Sequence, residues 1–387
     1  MLNGHVDQNA RSSKPIRLVA DLDRIDWNFA KRTAQSPLEG VHPYPAKFIG
    51  DIPRSLIRAI GLPHDTIVFD PFCGSGATLV ESQRLGYGAL GVDLNPIACL
   101  ISRVKTQPLP QGAPSAWKEI TFSASCNANC EDAGDNIPNV GHWFCDDVRR
   151  ALGALTKSIR SQAPVQMHDF LFSALSSILV RVSNQESDTR YAAITKDVTG
   201  ADVFKAFEAS CNRLHKALAS RSYPLTTCEV LTSDILEIGA DAIGRNVGLV
   251  ITSPPYPNAY EYWLYHKYRM WWLGYDPIGV REREIGARPH YFKKDHQTEE
   301  DFKRQMVRVF GLIRETLIAG GYACFIIGRS KIHGRLIDNA ALLRAAAEQF
   351  RFDLVYERDR TIRADRKSFN LSHAKIKQES LIIFRAA

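Results

Sequence analysis

The chain has 387 residues, 45% of them hydrophobic and 24% charged, with 49 Lys and Arg against 42 Asp and Glu for a formal net charge of +7. This composition excludes a mainly disordered chain and allows two or three compact units, or one large domain with an insertion. The basic excess permits a polyanionic partner without demanding one. No apolar run approaches the roughly 18 residues of a membrane span, and the polar stretch Met1 to Ser13 lacks the apolar block of a secretion signal. A cytoplasmic location with no membrane partner is therefore expected, while the oligomeric state stays open.

Residues 1–40 read as a polar lead-in with one apolar patch, Ile25 to Phe29. A helix is predicted after Pro53, because Leu56, Ile57 and Ile60 recur at helical spacing. Thr66 to Phe69 reads as a short buried strand, Gly74-Ser75-Gly76 breaks the chain, Ala77 to Leu85 reads as a helix and Gly88 to Val92 as a second strand. Strand, glycine turn, helix, strand makes one βαβ unit. Residues 106–142, with Pro108, Pro110, Pro114 and Pro138, look irregular.

From Trp143 to about Ser222 the pattern is helical. Its stripes are Val148, Leu152 and Leu155; then Phe170, Leu171, Leu175 and Leu179; then Val203, Phe207, Cys211, Leu214 and Leu218. Ser183 to Tyr191 between them is polar and predicted to be a loop. Strands resume at Glu229 to Thr232, Val247 to Thr252, Tyr322 to Ile327, Leu354 to Tyr356 and Ser380 to Phe384. The predicted organisation is an N-terminal extension (1–40), an α/β sheet domain (41–105 and 226–387) and a mainly helical insertion (106–225). The eight cysteines are scattered, which points to reduced thiols. Cys126, Cys130, His142 and Cys145 are spaced more widely than the tightest zinc knuckles, so ordinary thiols and no metal are expected.

Two stretches carry chemistry. Asp70-Pro71-Phe72-Cys73-Gly74-Ser75-Gly76 joins a strand to a helix, where glycines let a ligand approach the backbone and helix N–H groups can hold an anion. No Gly-Lys-Ser/Thr follows, which argues against a phosphate loop, and Leu79 stands where a dinucleotide fingerprint needs its third glycine. Asp93 ends the next strand, where a carboxylate can accept both hydroxyls of a ribose. Taken alone, the loop also fits a plain βα turn. The second stretch is Ser253-Pro254-Pro255-Tyr256, directly after the strand Leu249 to Thr252. Its prolines fix φ and remove two donors, leaving a rigid corner whose Ser253 hydroxyl and Pro254 carbonyl can accept from a planar amine while Tyr256 stacks on the ring.

With both stretches in hand, the chain resembles S-adenosylmethionine-dependent DNA amino-methyltransferases of the N4-cytosine type. The resemblance rests on Asp70 to Gly76, on Ser253 to Tyr256, on His42-Pro43-Tyr44-Pro45-Ala46-Lys47-Phe48 and on Asp234 in Thr232-Ser233-Asp234-Ile235. It covers about 42–104 and 229–387; the first forty residues and the helical lobe match no motif. The resemblance implies a Rossmann-like class I methyltransferase sheet, mostly parallel with a C-terminal antiparallel strand, plus the inserted lobe. It implies S-adenosylmethionine as cofactor and DNA as partner, and it leaves open whether companion restriction or defence proteins act beside it.

The implied catalytic residues are Ser253, Pro254, Pro255 and Tyr256. The implied cofactor residues are Tyr44, Lys47, Phe48, Asp70, Pro71, Phe72, Gly74, Ser75, Gly76, Asp93, Leu94, Asn95, Asp234 and Ile235. In that reading Asp93 binds the ribose, Asp234 the adenine amine and Asp70 the methionine ammonium, while Lys47 meets the carboxylate. Helix caps and core packing are the plain alternatives for these acids and rings.

The aromatic run Tyr260 to Trp272 reads mainly as a packed helix, with His266 a packing or surface residue rather than a base. Two basic stretches, Arg281 to Lys294 and the loop Arg358 to Lys367, could touch phosphates. Ser183, Asn184, Thr189 and Arg190 are candidate contacts of a target-recognition lobe. A C5-cytosine enzyme would need a nucleophilic cysteine, usually after a proline, and no cysteine follows one here. An N6-adenine or RNA amino-methyltransferase, and an inactive nucleic-acid-binding module of the same fold, are the rival readings; a dehydrogenase lacks its fingerprint.

Overall fold

A computed structural model of the protein describes residues 8–30, 36–45, 48–63, 65–127, 133–188, 190–292, 294–362 and 378–387, with side chains from residue 16 onward. The chain opens with α1 (Gln8–Asp23) and α2 (Asp51–Ile60), then β1 (Ile67–Asp70), α3 (Ala77–Arg84), β2 (Gly88–Asp93) and α4 (Pro96–Thr106). Next come α5 (Ala113–Cys126), α6 (Val140–Trp143), α7 (Asp146–Gln162), α8 (Val165–Val182), the short β3 (Gln185–Ser187) and β4 (Arg190–Ala193), and α9 (Gly200–Ala219). The chain then returns through β5 (Cys228–Thr232), α10 (Ala240–Ile243), β6 (Val247–Thr252), α11 (Tyr262–Leu273), α12 (Pro277–Arg283) and α13 (Glu299–Thr316). It closes with β7 (Leu317–Gly328), β8 (Ser330–Ile332), β9 (Arg335–Ile337), α14 (Asn339–Glu348), β10 (Phe352–Thr361) and β11 (Gln378–Ala386).

Seven strands form one sheet in the order β10-β11-β7-β6-β1-β2-β5. β5, β2, β1, β6 and β7 run parallel, and β11 lies antiparallel to both β7 and β10. This is the expected Rossmann-like, mostly parallel sheet, with the last strand of the chain as the reversed one. Parallel strands are covered on both faces, and they read as continuous apolar runs for that reason. Val68 and Phe69 are both fully buried but face opposite ways: Val68 packs with Leu56 and Ile57 of α2, Phe69 with Phe310 and Ile313 of α13. Burial of each such side chain is worth about 1.5–3 kcal/mol.

The lobe helices do not close on a core of their own. Ile97, Leu100 and Ile101 of α4 and Trp263, Met270 and Trp272 of α11 share one cluster with Leu152, Phe170, Leu175 and Phe207. The lobe is thereby seated on the sheet domain through α4 and α11.

Four expectations are corrected. The proline-rich stretch contains the helix α5, because Pro114 falls in its first turn, where a missing N–H costs nothing. Ser183 to Tyr191 includes the hairpin strands β3 and β4 rather than loop alone. Arg358 and Arg360 belong to β10, not to a loop, and Lys367 lies outside the described residues.

The lead-in, finally, is a structural element: α1 and the turn after it are fastened to edge strand β10. Arg358 pairs with Asp23 at 3.1 Å, Arg360 Nε donates to the Trp27 carbonyl at 3.0 Å, and Thr361 N donates to Asn28 Oδ1 at 2.7 Å.

Candidate active site

Strand order reverses between β1 and β6, and open α/β sheets present ligand crevices beyond the carboxyl ends of such strands. Asp70 ends β1 and Thr252 ends β6. The two meet there, Thr252 Oγ1 donating to Asp70 Oδ1 at 2.7 Å. Residues 182 positions apart are thus joined, and each leads directly into one of the two chemical stretches.

The loop after β1 is bent by Gly74 (φ 49°) and Gly76 (φ 80°), both left-handed. A Cβ on Gly76 would lie 2.8 Å from Ser102 Oγ and 3.2 Å from Ser102 Cα, so the position excludes any side chain on two counts. Helix α4 braces the loop from behind. Ser102 Oγ donates to the Gly74 carbonyl and Lys105 Nζ to the Ser75 carbonyl, each at 2.8 Å. Asp93 accepts from Gly74 N on one oxygen and from Asn95 N on the other, each at 2.8 Å. Asn95 in turn caps α4 by accepting from Ile97 N at 3.0 Å.

These elements surround a cavity of about 930 Å³, its open mouth included. Of the residues expected at a cofactor site, Tyr44, Phe48, Asp70, Pro71, Phe72, Gly74, Ser75, Asp93, Leu94, Asn95, Asp234 and Ile235 line it, and so do Ser253 and Pro255 of the corner. Gly76, Pro254 and Tyr256 are not among its lining, and Lys47 lies outside the described residues. Tyr256 is buried, with 6% of its surface exposed. Its hydroxyl donates to Glu379 Oε1 on β11 at 2.9 Å, and Glu379 pairs through its other oxygen with the buried Arg360. The aromatic ring of the corner is therefore anchored in the sheet, not turned into this cavity.

Five further wall residues, Tyr262, Val280, Arg283, Glu284 and Ile285, come from the α11–α12 region and carry no motif. Glu284 accepts from Tyr262 N at 2.9 Å and Trp263 N at 2.7 Å, capping the first turn of α11. Nothing in the local residue pattern marks it; only the folding of α12 back onto α11 brings it to the wall. Tyr44 stacks on His266 at 5.1 Å and on Tyr262 at 6.0 Å. His266 is fully buried. Burial, and then the Arg269 guanidinium, hold its pKa well below the ordinary imidazole value, so it is a neutral packing ring, as expected.

The cavity is anionic. Burial pushes Asp70 up to about 6 against hydrogen bonds from Thr252, Thr78 and Phe72 N. Burial likewise pushes Asp93 up to about 6 against the N–H groups of Asn95 and Gly74. Glu284 is pushed up to about 8 by burial, with Asp93 and Glu261 adding to it. Asp234, also buried, accepts from Leu236 N at 2.9 Å. Four carboxyl groups face one guanidinium, that of Arg283; at pH 7 Glu284 is mostly protonated, whereas Asp70 and Asp93 are mostly ionised. Such a wall favours a ligand that brings positive charge with it.

Elsewhere, the expected polar contacts of the lobe are mostly occupied internally. Ser183 is buried and donates to the Val180 carbonyl, a correction to its expected exposure; Arg190 pairs with Glu186 at 2.9 Å, Asn184 donates to the His142 carbonyl, and Thr189 lies outside the described residues. Cys126 and Cys145 are exposed thiols, and Cys130 also lies outside the described residues. Among the described residues no helix is long and apolar enough to cross a membrane.

Residues 7–103 match the sequence profile of a family described as DNA methylase. The match takes in residues 7–40, where no motif stands out, together with the loop after β1 and Asp93. The chain is also similar to type II methyltransferases. M.MjaII of Methanocaldococcus jannaschii is 35% identical over 89 residues, 22% of this chain and 17% of that protein. M.MvaI of Kocuria varians is 27% identical over 157 residues, 38% of this chain and 35% of that protein. M.BsoBI of Geobacillus stearothermophilus is 24% identical over 274 residues, 62% of this chain and 53% of that protein. The chain thus spans about half, or less, of the length of these curated relatives.

Proposed function

We propose that the chain transfers a methyl group from S-adenosylmethionine to the exocyclic N4 amine of a cytosine extruded from DNA. One observation carries the reading: the loop after β1 and the Ser253 to Pro255 corner after β6 wall a single anionic cavity at the switch point of the sheet. The similarity to a DNA methylase family and to type II methyltransferases supports methyl transfer and a DNA substrate. Ser253 at the head of the corner supports cytosine, since the resemblance associates serine there with N4-cytosine enzymes.

The residues present fit the donor. Its sulfonium and ammonium suit a wall of Asp70, Asp93, Asp234 and Glu284, its one carboxylate suits Arg283, and Phe72, Leu94 and Ile235 offer apolar surface to the adenine. In this reading Asp93 accepts from the ribose hydroxyls, Asp234 from the adenine amine, and Asp70 faces the ammonium, with Tyr44 and Phe48 closing the side. When bound, the donor supplies an electrophilic methyl group. The chain supplies the rest by position: Ser253 Oγ and the Pro254 carbonyl accept hydrogen bonds from the two amine N–H groups, which localises the nitrogen lone pair and aims it; as the N–C bond forms and the S–C bond breaks, the amine gives up one proton. Tyr256, held by Glu379, keeps the corner rigid. No covalent intermediate between chain and base is called for, and Cys73 in the cavity wall is unsuited to forming one. Its hydrogen bond with Cys99, and then burial, push its thiol well above the ordinary value.

The test is methyl transfer from labelled S-adenosylmethionine to mixed-sequence DNA, followed by nucleoside mass spectrometry. N4-methylcytosine is expected. N6-methyladenine would overturn the choice of base, and transfer to RNA alone the choice of substrate. Ser253→Ala is expected to lower kcat by about a hundredfold, the effect of removing one positioned hydrogen-bonding group, with donor affinity within about threefold of the parent. A chain that binds the donor and methylates nothing would leave only a binding module.

A further inference from the structure

We infer that the β8–β9 hairpin, together with Phe292 beside it, enters duplex DNA and fills the space left by the extruded base. The inference rests on the methyltransferase reading above and names the surface that acts on the duplex.

The hairpin alternates with period two. Ser330, Ile332 and Ile337 are buried, whereas Lys331 and Leu336, register partners across the two strands, stand on the outer face. An outer face ordinarily carries polar side chains, yet Leu336 is 65% exposed. A lone exposed leucine is unremarkable; this one has company. Phe292 is 64% exposed, and its ring lies 6.2 Å from that of His333 at the hairpin tip. Exposed cations flank the two apolar side chains along the chain: Lys294 two residues past Phe292, and Arg329, Lys331 and Arg335 on or next to the hairpin strands, with Arg288 5.9 Å over the Phe292 ring. The acids near these residues include Asp295, Glu299, paired with Arg335 at 3.7 Å, and Asp338, which follows β9 and caps α14 by accepting from Ala341 N. Apolar tips within a cationic field match duplex DNA, whose phosphates take the cations while a wedge takes the place of a base.

The position is right for that task. β8 begins just past the carboxyl end of β7, next to β6 and the Ser253 corner. The loop leaving that corner holds the hairpin directly. Asn258 Nδ2 donates to the Lys331 carbonyl at 2.7 Å, and Asn258 N donates to the Gly286 carbonyl at 2.9 Å. A wedge moored to the corner that receives the base is placed to keep the base out of the stack.

For the test, the methylated motif is first read from DNA treated with the parent chain. Two duplexes are then made, with the target base either paired or opposite an abasic site. The variant carrying Phe292→Ala and Leu336→Ala is expected to lose about tenfold or more in kcat on the paired duplex. It should stay within about twofold on the abasic one, where no stacked pair has to be opened. Equal loss on both duplexes, or no loss on the paired one, overturns the inference. Amide exchange of the full chain with a mixed-sequence duplex gives a readout independent of transfer: slowed exchange across 330–337 is expected, and unchanged exchange overturns the surface. A duplex that protects the hairpin but is never methylated overturns the methyltransferase reading, not the surface.

Discussion

The cavity and the hairpin beside it carry opposite charge within one chain of net charge +7. In the cavity, Asp70 and Glu284 are buried and Asp93 is half-buried, and withdrawal from water holds all three carboxyls above their ordinary range. On the hairpin, Lys331 and Arg335 stand in solvent. Buried charge acts at short range, through the cost of leaving it unpaired, and salt barely touches it. Exposed charge acts at long range and is screened. The contrast sorts two ligands of opposite sign, a small cation inside and a polyanion outside.

Three measurements can break or sharpen that contrast. The largest effect is expected inside. Asp93→Ala removes a carboxylate that faces the cavity and also strands the N–H groups of Gly74 and Asn95. Affinity for S-adenosylmethionine, read by calorimetry, should fall about a hundredfold, or about 2.7 kcal/mol. A loss under threefold would mean that the wall does not read positive charge.

The second concerns pH. Asp70 and Asp93 titrate at about 6 in the folded chain against an ordinary 3.8, and Glu284 at about 8 against an ordinary 4.5. The folded state holds more protons than the unfolded one across these windows, so these groups lower stability as pH rises through them. A bound cation favours the ionised carboxylates and reverses the trend. Donor affinity should therefore fall about tenfold between pH 7 and pH 5, and the donor-induced gain in Tm should grow between pH 5 and pH 8. A gain that shrinks with rising pH would contradict the anionic wall.

The smallest effect is expected outside. Lys331→Ala should weaken duplex binding slightly and reduce the slope of log affinity against log salt by about one. An unchanged slope would place Lys331 off the DNA.

The parts of the fold legible in the sequence are those whose physics is local. Val247 to Thr252 could be read to the residue because a strand covered on both faces must be apolar throughout. The turn at Gly74 to Gly76 was legible because glycines between a strand and a helix mark a break in the chain, and both take a left-handed φ there. Asp93 was legible because it ends the strand that follows a glycine turn. Helix α5 was hidden by prolines that suggest a break but sit at the first turn of a helix. Helix α1 was hidden because its partners, Tyr356, Arg358 and Arg360, lie more than 300 positions away.

Glu284 was illegible for the same reason: its role as cap and wall depends on where α12 ends relative to the start of α11. Likewise, the sequence shows that Tyr256 follows two prolines, but only strand register places Glu379 within reach of its hydroxyl.

By itself, then, the sequence determined the alternation of strands and helices, the glycine turn, the proline corner and the residue types able to meet a charged cofactor and a planar amine. These are set by periodicity, backbone freedom and donor–acceptor chemistry, each contained within a few neighbouring residues. Tertiary structure alone decided that Asp70 and Thr252 touch, that four carboxyl groups share one low-dielectric wall, and that two apolar side chains stand exposed on and beside the β8–β9 hairpin. Burial and proximity between distant positions are properties of the packed chain, and they set both the charge state of the cavity and the direction from which a duplex can reach it.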